Sequence, residues 1–247
     1  SVKKNYAVVD IETTGTDPKT DRIIQFGCVL IEEGQIVTHF STDINPDQNI
    51  PPQIQKLTGI TNQRVRKAPY FEDVAETISN LLADTVFVAH NIHFDYPFLS
   101  NELERCGMPP LTIPGIDTVE LAQVFMPTSL SFRLKDLAEE LDLVHENPHQ
   151  ADSDADVTAQ LLLHLESEIK ALPIITVEKI IATADQMAFQ TKDYLEDCLM
   201  DMQANPKPLS NDLAIIHGLA LRKKSVPLFS ENYFGRKAYP RSRKAKA

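Results

Sequence analysis

The chain has 247 residues, 43% of them apolar, and a formal net charge of −11. That length suits one domain with an extension or two small domains, and the apolar share is enough for a packed core. No stretch approaches the roughly 20 apolar residues of a membrane span. The first residues run into a strand pattern rather than a signal-peptide layout. Three widely spaced cysteines (Cys28, Cys106, Cys198) argue against a disulfide framework or a zinc site and fit a reducing cytoplasm.

The charge is unevenly spread. The last twelve residues, RKAYPRSRKAKA, hold six of the 24 basic residues and no acid. Two readings of this tail stand, a solvated linker and a nucleic-acid contact. The acidic remainder does not exclude a polyanionic partner, because a carboxylate site loaded with divalent metal is neutralised.

In chain order, strands are expected at about 5–11, 22–31 and 35–43, the last two joined by EEGQ as a hairpin. PPQIQKLTGI starts a short helix. A helix follows at about 70–82, an apolar strand at 85–90, and helices at about 95–106, 117–125, 133–142 and 152–171. A strand meander followed by alternating helix and strand implies an α/β layer fold with a mixed sheet. A boundary is expected near 172. Beyond it one long helical stripe runs from Val177 to Met202, and a weaker helix covers about 210–224.

The first strand, YAVVDIETTG, carries Asp10 and Glu12 two residues apart, so both point to one face. Like charges side by side repel, and burial adds the loss of hydration. A cation between them removes both costs; a wet edge strand would also tolerate them. Asp95 heads the stripe Phe98, Leu99, Leu103, where it is either a helix N-cap, with Pro97 in the first turn, or a site acid. Asp154 falls within the apolar stripe Val157, Leu161, Leu162, Leu165, Ile169, an unusual place for a lone carboxylate. Asp152 and Asp156 point away as solvated first-turn acids. His149 lies in a polar loop before Asp154. Four acids and one histidine suit Mg²⁺ or Mn²⁺ and phosphodiester chemistry, with the histidine as proton acceptor. The other histidines show no ligand spacing.

DIETTG at 10–15, HNIHFD at 90–95 and HQADSD at 149–154 resemble the three exonuclease motifs of the DEDDh (DnaQ-like) family, which includes the proofreading exonuclease of bacterial DNA polymerase III. The third motif is H-x-A-x-x-D, here His149, Ala151 and Asp154. The resemblance covers roughly residues 5–170. It implies an RNase H-like fold and a two-metal 3′→5′ exonuclease. Asp10, Glu12 and Asp154 would hold the catalytic ion, Asp10 would bridge to a second, Asp95 would reach the second through water, and His149 would be the general base. Thr13, Thr14, Leu57, His90, Asn91 and Phe94 would form the pocket for the terminal nucleotide, with Gly15 letting the backbone turn. For His90, Asn91 and Phe94 ordinary corner packing is the competing reading.

APYFEDVAETI, PTSLSFRLKDLAEEL and the helical segment after 173 resemble the N-terminal region of bacterial DinG-type exonuclease/helicases. The sequence has no G-x-x-x-x-G-K phosphate loop, since lysine follows none of its eight glycines. The expectation is therefore an exonuclease domain at 1–172, then a helical extension and basic tail at 173–247 leading toward a helicase region that is not in this chain. The implied partner is the 3′ end of single-stranded DNA, or RNA. A polymerase proofreading subunit and an exoribonuclease stay open, as does a nucleic-acid-binding module with vestigial chemistry, and no membrane partner is expected.

Overall fold

The computed structural model describes residues 4–206. In chain order the elements are β1 (Tyr6–Thr13), β2 (Ile23–Glu32), β3 (Gln35–Asp43), α1 (Pro52–Thr58), α2 (Asn62–Val65), α3 (Phe71–Leu82), β4 (Val86–Ala89), α4 (Ile92–Arg105) and β5 (Gly115–Asp117). They continue with α5 (Thr118–Phe125), α6 (Leu134–Glu140), α7 (Ala151–Lys170), α8 (Ile174–Ala182) and α9 (Thr191–Ala204). The described residues fall into two compact units, one of 4–118 with 144–163 and one of 119–143 with 164–206. This partition runs inside α7.

The first unit is built on one mixed sheet of order β3-β2-β1-β4-β5. β1 pairs antiparallel with β2, and β4 pairs parallel with both β1 and β5. β1 is central, which explains its unbroken buried run Ala7-Val8-Val9. The β2–β3 hairpin turns on Glu33 (φ 51°) and Gly34 (φ 77°), the left-handed pair a tight two-residue hairpin requires.

The two faces of β1 have different neighbours. Ala7, Val9 and Ile11 enter a core with Phe26 and Cys28 of β2, Phe71, Ala75 and Ile78 of α3, and Phe98, Leu99 and Leu103 of α4. Asp10 and Glu12 point to the other face, opposite Gly27 and Gln25 of β2. There the start of α7 lies directly on the sheet. A Cβ on Gly27 would sit 2.4 Å from the Ala151 carbonyl oxygen, so only glycine admits the helix at this height. Gln25 Oε1 accepts from the Ala151 amide at 2.6 Å and satisfies one orphan donor of the helix start. Gln25 Nε2 donates to Asp43 Oδ1 at 3.0 Å, and Arg64 holds Asp43 through Nε (2.6 Å) and an Nη donor (2.9 Å).

Three elements differ from the sequence expectation. Helix α4 starts at Ile92, not at 95, because Asn91 takes a left-handed turn (φ 81°, ψ 65°) straight after β4. The Asp117 carboxylate, from β5, caps this start by accepting from the Asn91 amide at 2.9 Å and more distantly from Ile92 at 3.4 Å. Asp95 is therefore not the N-cap, and Pro97 lies inside the helix. Strand β5 is only Gly-Ile-Asp, too short to show a period. In the second unit the expected single stripe is two helices, α8 and α9, which pack on each other. The break at 183–190 has no glycine or proline. It is held by the Ala188 amide donating to Glu120 Oε2 at 2.8 Å and by Phe189 at φ 52°. Lys170 Nζ, at the end of α7, bonds Asp201 of α9 at 3.1 Å. The expected helix at 210–224 and the basic tail lie outside the described residues. No helix among the described residues is long and apolar enough to cross a membrane.

Gly27→Ala should lower stability by about 1–3 kcal/mol, since backbone rather than a flexible side chain must give way. Urea unfolding of the variant beside the parent checks this, and an unchanged midpoint would mean α7 does not rest on β2 at this height.

Candidate active site

The acids singled out in the sequence converge in the first unit. Asp10 and Glu12 share a face of β1, just before a register shift in the β1–β2 ladder at Glu12/Thr13. Asp154, in the first turn of α7, is 9% exposed. Its predicted stripe-mates Val157, Leu161, Leu162, Leu165 and Ile169 are all buried. One oxygen from each of Asp10, Glu12 and Asp154 can be chosen so that all three lie within 4.8 Å of one another. Asp10 Oδ2 is buried and has no hydrogen-bond partner. An orphaned carboxylate oxygen among other carboxylates fits a divalent cation of the Mg²⁺ or Mn²⁺ type, for which hard oxygen donors are the preferred set. Asp95 stands outside that trio. It is buried in the first turn of α4, and its Oδ2 accepts from the Ile11 amide at 3.2 Å, which ties α4 to the strand between the two site acids.

A model of the exonuclease family matches residues 7–162, a span that contains all four acids and His149. This chain belongs to the exonuclease family. A Bacillus subtilis (strain 168) protein named 3′-5′ exonuclease DinG is 45% identical over 179 residues, covering 72% of this chain and 19% of its own length. The chain thus spans about a fifth of that curated relative. Among solved structures, Exonuclease X in complex with 5′ overhanging duplex DNA is 28% identical, with a TM-score of 0.53 over 66% of this chain and 91% of that one. Escherichia coli Exonuclease I in complex with a dA16 oligonucleotide shares the fold, with a TM-score of 0.61 at 23% identity over 67% of this chain and 41% of that one. The mixed sheet is therefore the RNase H-like exonuclease fold that the motifs imply.

The electrostatics of the cluster follow from packing acids together. Burial pushes Asp10 well above the usual carboxylate range, and Asp95, Asp154 and Glu12 add to the rise. Glu12 is pushed up to about 8, first by burial and then by Asp154 and Asp95. Burial also raises Asp95, opposed by its bond from the Ile11 amide and reinforced by Asp117 and Asp154. Each shift favours the proton over the bare charge, and a bound cation would compete with that proton.

The remaining expected site residues divide by surroundings. Leu57, on α1, is 47% exposed, and Asn91 is exposed at the left-handed corner. Phe94 is half-buried, its ring 5.3 Å from that of Phe98. His90 Nδ1 meets Thr118 Oγ1 at 2.8 Å. Thr13 is buried, its hydroxyl donating to the Gly15 carbonyl at 2.6 Å. The Thr14 hydroxyl donates to Asp21 and accepts from the Arg22 amide and from Gln48 Nε2, which commits it to the β1–β2 loop. At Gly15 a Cβ would lie 2.3 Å from an Asp21 carboxylate oxygen, so any larger residue would displace the Asp21 side chain that holds the loop. The φ of Gly15 is not in the left-handed region, so the expected turn is not the reason for glycine.

His149 has an exposed side chain and a left-handed backbone (φ 67°), and its amide donates to both Asp154 oxygens at 3.3 and 3.2 Å. Sequence patterns do not single out His145, whose Nε2 lies 2.6 Å from Asp154 Oδ1. Nor do they single out Asp117, Gln25 or Gly27 as parts of the site. Of these only Gly27 carries a signal, a glycine inside an apolar strand, which marks close backbone approach.

The Glu12 shift has a sign that can be tested. The folded protein holds this proton up to about pH 8, while an unfolded glutamate releases it near 4.5. The stability tied to that proton is complete below the unfolded value and is lost as pH rises through the folded one. In EDTA the melting temperature should therefore fall between about pH 5 and pH 8. Mg²⁺ should raise it more at the upper end than at the lower, and Asp154→Asn should flatten the part of the decline that burial alone does not set. Thermal melts across this range check it; a decline as steep in Asp154→Asn as in the parent would show that Asp154 does not raise Glu12.

Proposed function

We propose that this chain is a metal-dependent 3′→5′ exonuclease that hydrolyses phosphodiester bonds from the 3′ end of single-stranded DNA. The observation that carries the reading is the trio Asp10, Glu12 and Asp154 within 4.8 Å, with a buried, unpartnered oxygen on Asp10. Two Mg²⁺ or Mn²⁺ ions, when bound, would supply charge stabilisation for the attacking and leaving oxygens. Asp10, Glu12 and Asp154 would be their direct holders, and Asp95, fixed by the Ile11 amide, would act through water. His149 would accept the proton of the attacking water, a task for which a solvent-facing imidazole next to an acid cluster is suited. Leu57 and Asn91, both exposed, would contact the terminal nucleotide, and His90, Phe94, Thr13 and Thr14 would complete its pocket.

Polarity of cleavage is supported by the name of the Bacillus relative, and DNA by the complex of Exonuclease X. The coverage of about a fifth of that relative supports the reading of this chain as the exonuclease region of a longer DinG-type protein. In this proposal residues 1–172 are the exonuclease domain and residues 173–247 lead toward a helicase. Three free cysteines suit a cytoplasmic setting.

The experiment is a 5′-labelled DNA oligonucleotide and an RNA of the same sequence, each incubated with Mg²⁺, Mn²⁺ or EDTA. A ladder shortening from the 3′ end should form only with metal, faster on DNA, and Asp10→Ala should abolish it while the protein stays folded. His149→Ala should slow the chemical step by about 10²–10⁴ with little change in substrate binding. Binding without any ladder would favour a vestigial binding module, and faster cleavage of RNA an exoribonuclease.

A further inference from the structure

We propose that His145 is a positioning residue for Asp154: its imidazole N–H holds the carboxylate in the rotamer that meets Asp10 and Glu12. The inference rests on the metal-site reading above and assigns a role to a residue outside the three motifs.

His145 Nε2 lies 2.6 Å from Asp154 Oδ1, with the two side chains only 8% and 12% exposed. An ionised carboxylate can only accept, so the ring must donate through Nε2. Asp154 faces two other carboxylates, and repulsion would favour a rotamer turned away from them. Donors bonded to its oxygens oppose that swing. The structure supplies two, the His145 ring and the His149 amide, and only the first is a side chain that sequence can change.

The segment carrying His145 is itself fixed. The side-chain amide of Gln160 clasps the preceding residue, accepting from the Val144 amide and donating to the Val144 carbonyl, both at 3.3 Å. Gln160 Nε2 also donates to Asp156 Oδ2 at 2.8 Å, and Asp156 Oδ1 meets His39 Nε2 of β3 at 2.8 Å. Beyond His145, the Asn147 amide donates to Ser153 Oγ at 3.2 Å, and Gln150 Nε2 donates to the Thr58 carbonyl at 3.3 Å. The ring is therefore presented from an anchored loop. Outer partners of this kind orient metal-binding side chains, and their loss typically lowers metal affinity about 10–100-fold.

The test is calorimetric titration of the chain with Mn²⁺ for the parent, His145→Gln, His145→Leu and His149→Ala, with metal-free melting curves to confirm folding. His145→Leu fills the space without a donor and should bind Mn²⁺ about 10–100-fold more weakly. His145→Gln keeps an N–H donor and should bind close to the parent, as should His149→Ala. In the nuclease assay, His145→Leu should need more Mn²⁺ for half-maximal rate yet reach close to the parental rate at saturation, whereas His149→Ala should stay slow at any Mn²⁺ level. Parental Mn²⁺ affinity in His145→Leu would overturn the inference, as would equal weakening in His145→Gln. A parent that binds no Mn²⁺ would overturn the metal-site reading itself.

Discussion

Mutual repulsion among crowded, largely desolvated carboxylates is the constraint around which the first unit is arranged. Asp10, Glu12 and Asp154 offer oxygens within 4.8 Å of one another, and Asp95 adds its field to theirs. A chain optimised for stability alone would not gather these groups on one face of a central strand. Burial first, and repulsion with it, raises the proton affinities of Asp10, Glu12 and Asp95, and a cation would relieve both. The same repulsion explains why each acid is held by an element whose position is independently secured.

Those securing contacts share one logic, a polar side chain that satisfies a helix start or a carboxylate far away in sequence. Gln25 bonds the first amide of α7, and through Asp43 it is braced by Arg64. Asp117 caps α4 at the left-handed Asn91, which sets the helix that carries Asp95. Asp95 in turn takes the Ile11 amide. Gly27 contributes by absence, leaving room for the Ala151 carbonyl so that Asp154 can reach the level of Asp10. Loss of a brace would move a site acid without removing it.

Much of the site is legible in the sequence because period and charge conflict there visibly. Two acids two apart on an apolar strand, and one acid inside a helical apolar stripe, violate the burial rule for those elements, so they stand out from the sequence pattern alone. The core face of α7, with Val157, Leu161 and Leu165 buried, follows from the 3.6-residue period. Less legible is the start of α4, where Asp95 reads equally well as a cap. The real cap comes from Asp117, 26 residues from Asn91 in the chain. The break between α8 and α9 is invisible because the apolar spacing continues through it and the residues there are ordinary helix formers.

By itself the sequence determined most of the longer elements, the mixed sheet and the acids that stand out on apolar faces, since these follow from local period, composition and motif. Tertiary structure alone decided that Asp154 is held by His145, that Gln25 and Gly27 seat α7, and that Asp117 sets α4. Each of these joins residues far apart along the chain or at a spacing without a pattern. Hydrogen bonds and close backbone approaches depend on distances of a few tenths of an ångström, and no periodicity in sequence encodes such distances.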